Sequence, residues 1–464
     1  MSSFIPVSAA LAVALDNEKV KQCELRIVVS IILYQAECAI IKSTKAYAKL
    51  AQEQPHHVPS NLPTVHSISS VELIRKMLPS QENAFFVADL GEVIQQWGLW
   101  KKYLPRVQPF YGTFIYNIAV KCNPDKVIIK TLFECGSNFD CASKNEIELA
   151  LEAGADASQI IFANPCKQAS HIRFAASKGV NLMTFDNIDE LVKIKQVMPL
   201  NARLVLRILA DDSKSICRFG VKFGASLDIV PGLFKAAAHL GLNVVGVSFH
   251  VGSGCFDAMS YRDAVKLARE AFDIGESLGF TMEILDLGGG FSGQRNSSGL
   301  DFKSVAAALS CAIDEYIPAH IKVISEPGRY FVSDCYALCT SVIGRRKFEK
   351  EGRPAFMYYL NDGIYGSFNC IPFDHAKVSA EPLARKGVLL LGKDTAEDLP
   401  KFASSLWGPT CDSIDCIDAD LQFPEMQIGD WIMFRNMGAY TNAAASEFNG
   451  FGKSVVSYTH CKTE

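Results

Sequence analysis

The sequence predicts an α/β architecture: a (β/α)8 barrel followed by a mainly β, C-terminal barrel or sandwich domain. Three observations carry this expectation. Between residues 110 and 330, short apolar runs alternate with amphipathic stretches of helical period. Glycines follow the seventh and eighth of these runs. After about residue 335 the rhythm changes to short β-type runs joined by turn signals. With 464 residues, the chain is long enough for about three domains of ~150 residues, or for one barrel of ~250 with a second domain.

The apolar runs close at Ala119-Val120-Lys121, Asn138-Phe139-Asp140, Ile161-Phe162-Ala163-Asn164, Leu182-Met183-Thr184, Leu204-Val205-Leu206-Arg207, Val247-Ser248-Phe249-His250, Ile284-Leu285-Asp286 and Val323-Ile324-Ser325-Glu326. Segments such as 145–153, 188–197 and 261–278 between them have the period of surface helices. An open, doubly wound sheet also accommodates eight strands. The barrel is favoured because the late glycines fall where barrels often hold a phosphate. In the second domain, runs at 337–343, 356–360, 388–391 and 431–434 are linked by turns such as Asn361-Asp362-Gly363 and Ile428-Gly429-Asp430. Ahead of the barrel, the proline-bearing stretch 52–67 reads as a linker. The apolar run 27–41, interrupted by Gln35 and Glu37, reads as a helix too short for a bilayer span of ~20 residues.

Composition narrows the function classes. Apolar residues make up 49% and charged residues 21%, with a net charge of −4, which is ordinary for a globular chain and unlike a nucleic-acid binder. Neither nucleic acid nor membrane is an expected partner; a small molecule is. The 15 cysteines form no C-x-x-C pair, so reduced thiols in a cytoplasmic protein are expected, with no metal site. The apolar N-terminus is not preceded by Lys or Arg, as a secretory signal normally is.

The strand ends supply the chemistry. Lys121 closes an apolar strand, where desolvation lowers an amine's pKa and suits it to form a Schiff base with an aldehyde. The bland alternative is a lysine pointing into water. Gly288-Gly289-Gly290 lets backbone N–H groups approach an anion, although such triplets are often only turns. Glu326-Pro327-Gly328-Arg329 adds a guanidinium for phosphate and a carboxylate able to face a ring nitrogen. Ser253 can donate to the same phosphate, and His250 can lie flat on an aromatic ring; a turn serine and a core histidine are the alternatives. Together these parts suit pyridoxal 5′-phosphate, whose aldehyde, phosphate and pyridine nitrogen need those three partners. Further on, Trp407-Gly408-Pro409-Thr410-Cys411-Asp412 sets a thiol beside a carboxylate, and Asp362 follows Asn361 in a turn. Aspartates are common in turns for local reasons; near a cofactor, two could hold a distal ammonium, and Cys411 could act as an acid.

In its motifs the chain resembles the eukaryotic ornithine decarboxylases, pyridoxal-phosphate enzymes of the alanine-racemase-like fold. The resemblance runs from about 65 to 458 and rests on residues 119–123, 139–143, 163–167, 248–254, 288–291, 326–330, 361–369, 407–412 and 438–441. It implies a lyase that converts L-ornithine to putrescine and CO2, the first step of polyamine biosynthesis. Lys121 is then the Schiff-base lysine, His250 stacks on the ring and Glu326 meets the pyridine nitrogen. Ser253, Gly288, Gly289, Gly290, Gly328, Arg329 and Tyr440 match the cofactor's phosphate cradle. Asp140 and Arg207 match positions that support the cofactor and lysine. Asp362 and Asp412 resemble the pair that recognises the δ-ammonium, and Cys411 the acid that reprotonates the α-carbon. The resemblance further implies a homodimer with shared active sites, the partner supplying Cys411 and Asp412, and antizyme as a further partner.

On this reading the chain divides into an extension and linker (1–64), strands joining the β domain (65–95), the cofactor-binding barrel (96–335) and the β domain (336–464). Lysine or arginine decarboxylation on the same fold is an alternative, as is a catalytically inactive, antizyme-inhibitor-like binding protein. The sequence departs from the family pattern at residues 112–118, which separate Pro-Phe-Tyr from Ala-Val-Lys. They form a bulge at the bottom of the barrel, drive Asn117 into an apolar strand, or reflect a misplaced splice junction. The degradation tail of some relatives is not expected.

Overall fold

The computed structural model describes residues 64–111, 122–198, 201–293, 300–391 and 399–460. The expected helix at 27–41, the segment 112–118 and the run Ala119-Val120-Lys121, with Lys121 itself, lie outside these residues.

Two strands precede the barrel: β1 (Val65–His66) and β2 (Phe85–Asp89). The barrel then closes from eight parallel strands, β3 (Val107–Tyr111), β4 (Asn138–Cys141), β5 (Ile160–Phe162), β6 (Leu182–Phe185), β7 (Arg203–Arg207), β9 (Asn243–Ser248), β11 (Ile284–Asp286) and β12 (Lys322–Ser325). Seven coincide with runs read from the sequence. The first does not: β3 lies upstream of Ala119, at Val107–Tyr111, and pairs with both β12 and β4. Its Phe110 and Tyr111 are fully buried, so this apolar segment satisfies the same requirement as the run that was expected there.

Alternation along the strands separates two apolar sets. Phe110, Ile161, Leu182, Val205, Val245, Ile284 and Ile324 form one cluster drawn from the strands alone. Their neighbours, such as Phe162, Met183, Leu204, Leu206, Leu285 and Val323, join a larger cluster with helical residues. Period-two alternation in a closed barrel produces this division, with one set filling the interior and the other meeting the surrounding helices. Several helices begin at side-chain caps, as where Asp125 Oδ1 accepts from the Val127 amide at 2.8 Å ahead of Lys126–Glu134.

Between β7 and β11, two short strands, β8 (Ser215–Cys217) and β10 (Ser253–Cys255), form an antiparallel ribbon outside the barrel. The C-terminal region supplies β13 (Tyr336–Lys350), β14 (Arg353–Leu360), β15 (Ala380–Arg385), β16 (Val388–Leu389), β17 (Lys401–Trp407), β18 (Cys416–Pro424), β19 (Trp431–Phe434) and β20 (Val455–Thr459). They form one sheet with β1 and β2. The long β13 pairs with β2 and β19 along its first part and with β14 along its second. Val65–His66, at the end of the expected linker, therefore pairs with β20.

Sheet and barrel are joined beside the site. Asp125 Oδ2 accepts from the hydroxyls of Tyr336 (3.0 Å) and Tyr458 (2.5 Å). The Tyr440 amide donates to the Cys122 carbonyl at 2.8 Å, and Asn123 Nδ2 donates to the Gly438 carbonyl at 2.9 Å. The two residues that follow Lys121 are thus held by the loop that carries Tyr440. No helix among the described residues is long and apolar enough to cross a membrane.

Candidate active site

The barrel places its chemistry at the C-terminal strand ends, where side chains leave the packed interior. Asp140 ends its run in β4, Arg207 closes β7, Asp286 closes β11, and His250 and Glu326 lie just beyond β9 and β12. Asp140 and Asp286 are fully buried, Arg207 and Glu326 nearly so.

A cleft opens at this end. Its walls include His250, Ser253, Gly289, Gly290, Glu326, Gly328, Arg329 and Tyr440 from among the expected residues, together with Phe219 and Phe291, which the sequence reading did not single out. Phe219 meets the His250 ring edge-on, with centroids 4.8 Å apart. The other face of that contact is fixed locally, because His250 Nδ1 accepts from the Gly252 amide at 3.0 Å. A neutral imidazole bonded this way carries its proton on Nε2.

The glycine run follows from close packing. A Cβ at Gly288 would lie 2.2 Å from the Phe249 carbonyl oxygen, and one at Gly290 would lie 2.3 Å from that of Gly252. Both have positive φ, +61° and +102°, which only glycine adopts readily. A Cβ at Gly289 would meet the Glu326 carbonyl oxygen at 2.8 Å and His250 Nε2 at 3.0 Å. Bare backbone therefore borders the cleft between the histidine and the glutamate.

The two ends of the cleft differ in charge. At one end Arg329 forms an ion pair with Asp374 and lies over the Tyr440 ring, 4.9 Å from its centroid. At the other, Glu326 is the acid in the wall; behind it, burial pulls the Arg207 pKa down, while the acids Glu326, Asp186, Asp286 and Asp140 around it act in the opposite direction. Burial likewise pushes the Asp286 carboxyl up, against the Glu326 contact and the Gly288 amide, which hold it down.

Of the expected residues that do not line the cleft, Gly288, Asp140 and Arg207 are next to its walls, and three others stand elsewhere. Asp362 is buried within its own turn: Oδ1 accepts from the Gly363 and Ser367 amides, both at 2.8 Å, and Oδ2 from the hydroxyls of Ser367 (2.5 Å) and Ser454 (2.7 Å). Both oxygens are saturated, and the residue does not line the cleft. The expectation that Asp362 holds a substrate ammonium is therefore corrected: its carboxylate organises the turn. Asp374, outside the motif read from sequence, is the acid that reaches the cleft, through Arg329. It ends the short helix Cys370–Asp374, which is stopped by His375 in the left-handed region. Cys411 is exposed, with its amide on Asn449 Oδ1, and Asp412 accepts from the Tyr365 hydroxyl and the Ile414 amide. Neither lines the cleft of its own chain. Lys121 lies outside the described residues.

The pyridoxal-binding-domain pattern of the pyridoxal-dependent decarboxylases matches residues 90–333. The chain belongs to that family. It is 50% identical to the ornithine decarboxylase of Schizosaccharomyces pombe, over 82% of this chain and 84% of that protein. It is also 46% identical to antizyme inhibitor 2 of Xenopus laevis, over 83% of each. Among solved structures, the lysine/ornithine decarboxylase of Vibrio vulnificus, complexed with putrescine, superposes with a TM-score of 0.72. The two are 30% identical, and the match covers 84% of this chain and 98% of that one.

The residues present fit pyridoxal phosphate on structural grounds. Backbone without side chains and a guanidinium suit its phosphate. The Glu326 carboxylate in the wall suits a protonated ring nitrogen. Gly290→Ala should therefore weaken cofactor binding by more than about tenfold, as even one lost or misplaced charge-assisted bond would. Gly232→Ala, with nothing within 4 Å of its Cβ, should leave it unchanged. Titrating apo protein by cofactor fluorescence measures both.

Proposed function

We propose that this protein decarboxylates L-ornithine to putrescine and carbon dioxide, with pyridoxal 5′-phosphate as cofactor, in the cytoplasm. The observation that carries the reading is the cleft itself, with an anion-binding wall and a buried acidic wall on the pyridoxal-binding domain of this family. Relatives named ornithine decarboxylase, similar over four-fifths of the chain, support the substrate.

When bound, the cofactor supplies an aldehyde for an amine and a ring that withdraws electrons from the bond to be broken. Lys121 is the amine assigned to that aldehyde. Ser253, Arg329 and the backbone at Gly288, Gly289, Gly290 and Gly328 hold the phosphate, with Tyr440 packed on the guanidinium. His250 supports one face of the ring, and Asp140 and Arg207 sustain the charge balance around Glu326, which faces the ring nitrogen. A carboxylate there favours the protonated nitrogen and so the flow of electrons towards it.

Arg329 and Asp374 also set up diamine recognition. Arg329, when it holds the phosphate, would bond Asp374 less strongly and leave that carboxylate with charge available to an ammonium. Cys411 protonates the α-carbon, and Asp412 supplements Asp374 at the distal ammonium. Because neither Cys411 nor Asp412 lines the cleft of its own chain, we assign them to the cleft of a second copy in a homodimer. Lysine is longer than ornithine by one methylene, a difference of only about 1–3 kcal/mol in a pocket. Some activity on it is expected.

Incubating purified protein and cofactor with ornithine, lysine and arginine, and identifying the amine formed, tests the reaction. Putrescine from ornithine should predominate; absence of any amine would favour the binding-protein alternative, for which the Xenopus relative stands. Mixing equal amounts of Lys121→Ala and Cys411→Ala protomers should restore roughly one quarter of wild-type activity, because half the dimers would hold one intact site. No recovery would count against shared sites. Asp374→Asn should raise KM for ornithine about tenfold at saturating cofactor, with a smaller change in kcat. Asp362→Asn should instead cost about 1–3 kcal/mol of stability, read from denaturant midpoints.

A further inference from the structure

Asp286 is buried beside the site, yet no role in holding cofactor or substrate falls to it. It closes β11, is completely buried, and lies two residues before the glycine run. Its Oδ1 accepts from the Gly288 amide at 3.0 Å. The carbonyl of that same glycine accepts from the Glu326 amide and the Ser325 hydroxyl, each at 2.7 Å. One residue, Gly288, thus joins the Asp286 carboxylate to the backbone of Glu326. The second oxygen, Oδ2, accepts from no amide or hydroxyl, and the carboxyl is in contact with the side chain of Glu326. Two buried carboxyl groups in contact favour a shared proton or positive charge beside them.

The charges around it define what it can do. Asp140 from β4, Arg207 from β7 and Glu326 beyond β12 act on it, and Asp186 beyond β6 acts on Arg207. Together these acids favour positive charge beside Glu326, and burial strengthens that preference because little water reaches them.

Resting on the reading that Glu326 faces the ring nitrogen of pyridoxal phosphate, we propose that Asp286 is a positioning residue that acts through Glu326. It fixes the backbone that carries Glu326 and adds a second negative charge, so that a nitrogen carrying a proton is preferred at that point. It touches neither the ring nor the substrate.

The test separates this role from scaffolding. Apo wild type and Asp286→Asn are titrated with pyridoxal phosphate and with its analogue bearing carbon in place of the ring nitrogen. Wild type should prefer the natural cofactor. In Asp286→Asn that preference should fall by about tenfold, the effect of one pKa unit at the nitrogen. Affinity for the carbon analogue should stay within about twofold. Glu326→Gln should remove the preference, and adding Asp286→Asn to it should change nothing more. If the amide variant does not fold, Asp286→Ser, whose hydroxyl can still accept from the Gly288 amide, should show the same loss of preference. Equal weakening of both ligands, or an unchanged preference, would overturn the proposal. Failure of wild type to bind pyridoxal phosphate at all would overturn the cofactor assignment on which it rests.

Discussion

Three consecutive peptide units without side chains, Gly288–Gly290, lie so close to the neighbouring strand ends that no Cβ fits between them. The site takes its geometry from that contact. On one side the run abuts the Phe249 carbonyl and the His250 ring; on the other it abuts the Glu326 carbonyl. Residues from β9, β11 and β12 are thereby held around one cleft, and parallel pairing of the three strands maintains the register. The barrel supplies the rigidity: its closed strands and filled interior leave the C-terminal ends as the place where polar groups can converge.

Charge then divides the cleft. Arg329 at one wall attracts an anion, while Glu326 at the other, backed by the acids around Arg207, favours a cation. A ligand with a phosphate and a basic ring nitrogen satisfies both at once, which a simple anion or a simple amine does not. The β domain contributes beyond its own stability. Through Tyr440, Gly438 and the tyrosines on Asp125 it holds the chain at Cys122 and Asn123, the segment that follows the lysine assigned to the cofactor.

Much of this was legible in the sequence because the barrel rests on short-range patterns. Strands such as Leu182–Phe185 and Ile284–Asp286 announce themselves as apolar runs ending in polar residues, and glycines whose backbone must approach a neighbour stand out by composition. What was not legible depends on long-range choices. Val107–Tyr111 is a plausible strand by local pattern, but only its pairing with β12 and β4 makes it part of the barrel. Asp362 and Asp374 are both turn-associated aspartates. Whether each carboxylate is saturated locally depends on Ser367 and Ser454 for one and on Arg329 for the other. Asp286 reads in sequence as an ordinary strand end; its weight comes from Arg207 and Glu326, distant in the chain and adjacent in space. The edge contact of Phe219 on His250 likewise joins separate loops, and no spacing rule signals it.

The central claim is that pyridoxal phosphate is held in this cleft by Lys121. Another lysine provides an internal control: Lys167, in the loop between β5 and the helix Ala169–Ser177, is buried, paired with Glu190 at 2.8 Å, and donates to the Thr184 carbonyl at 2.5 Å. Borohydride reduction of the cofactor-loaded protein, followed by proteolysis and mass mapping, fixes the cofactor to whichever amine holds it. The account predicts a single pyridoxyl-bearing peptide modified at Lys121. Modification at Lys167 or another lysine, or none at all, would contradict it.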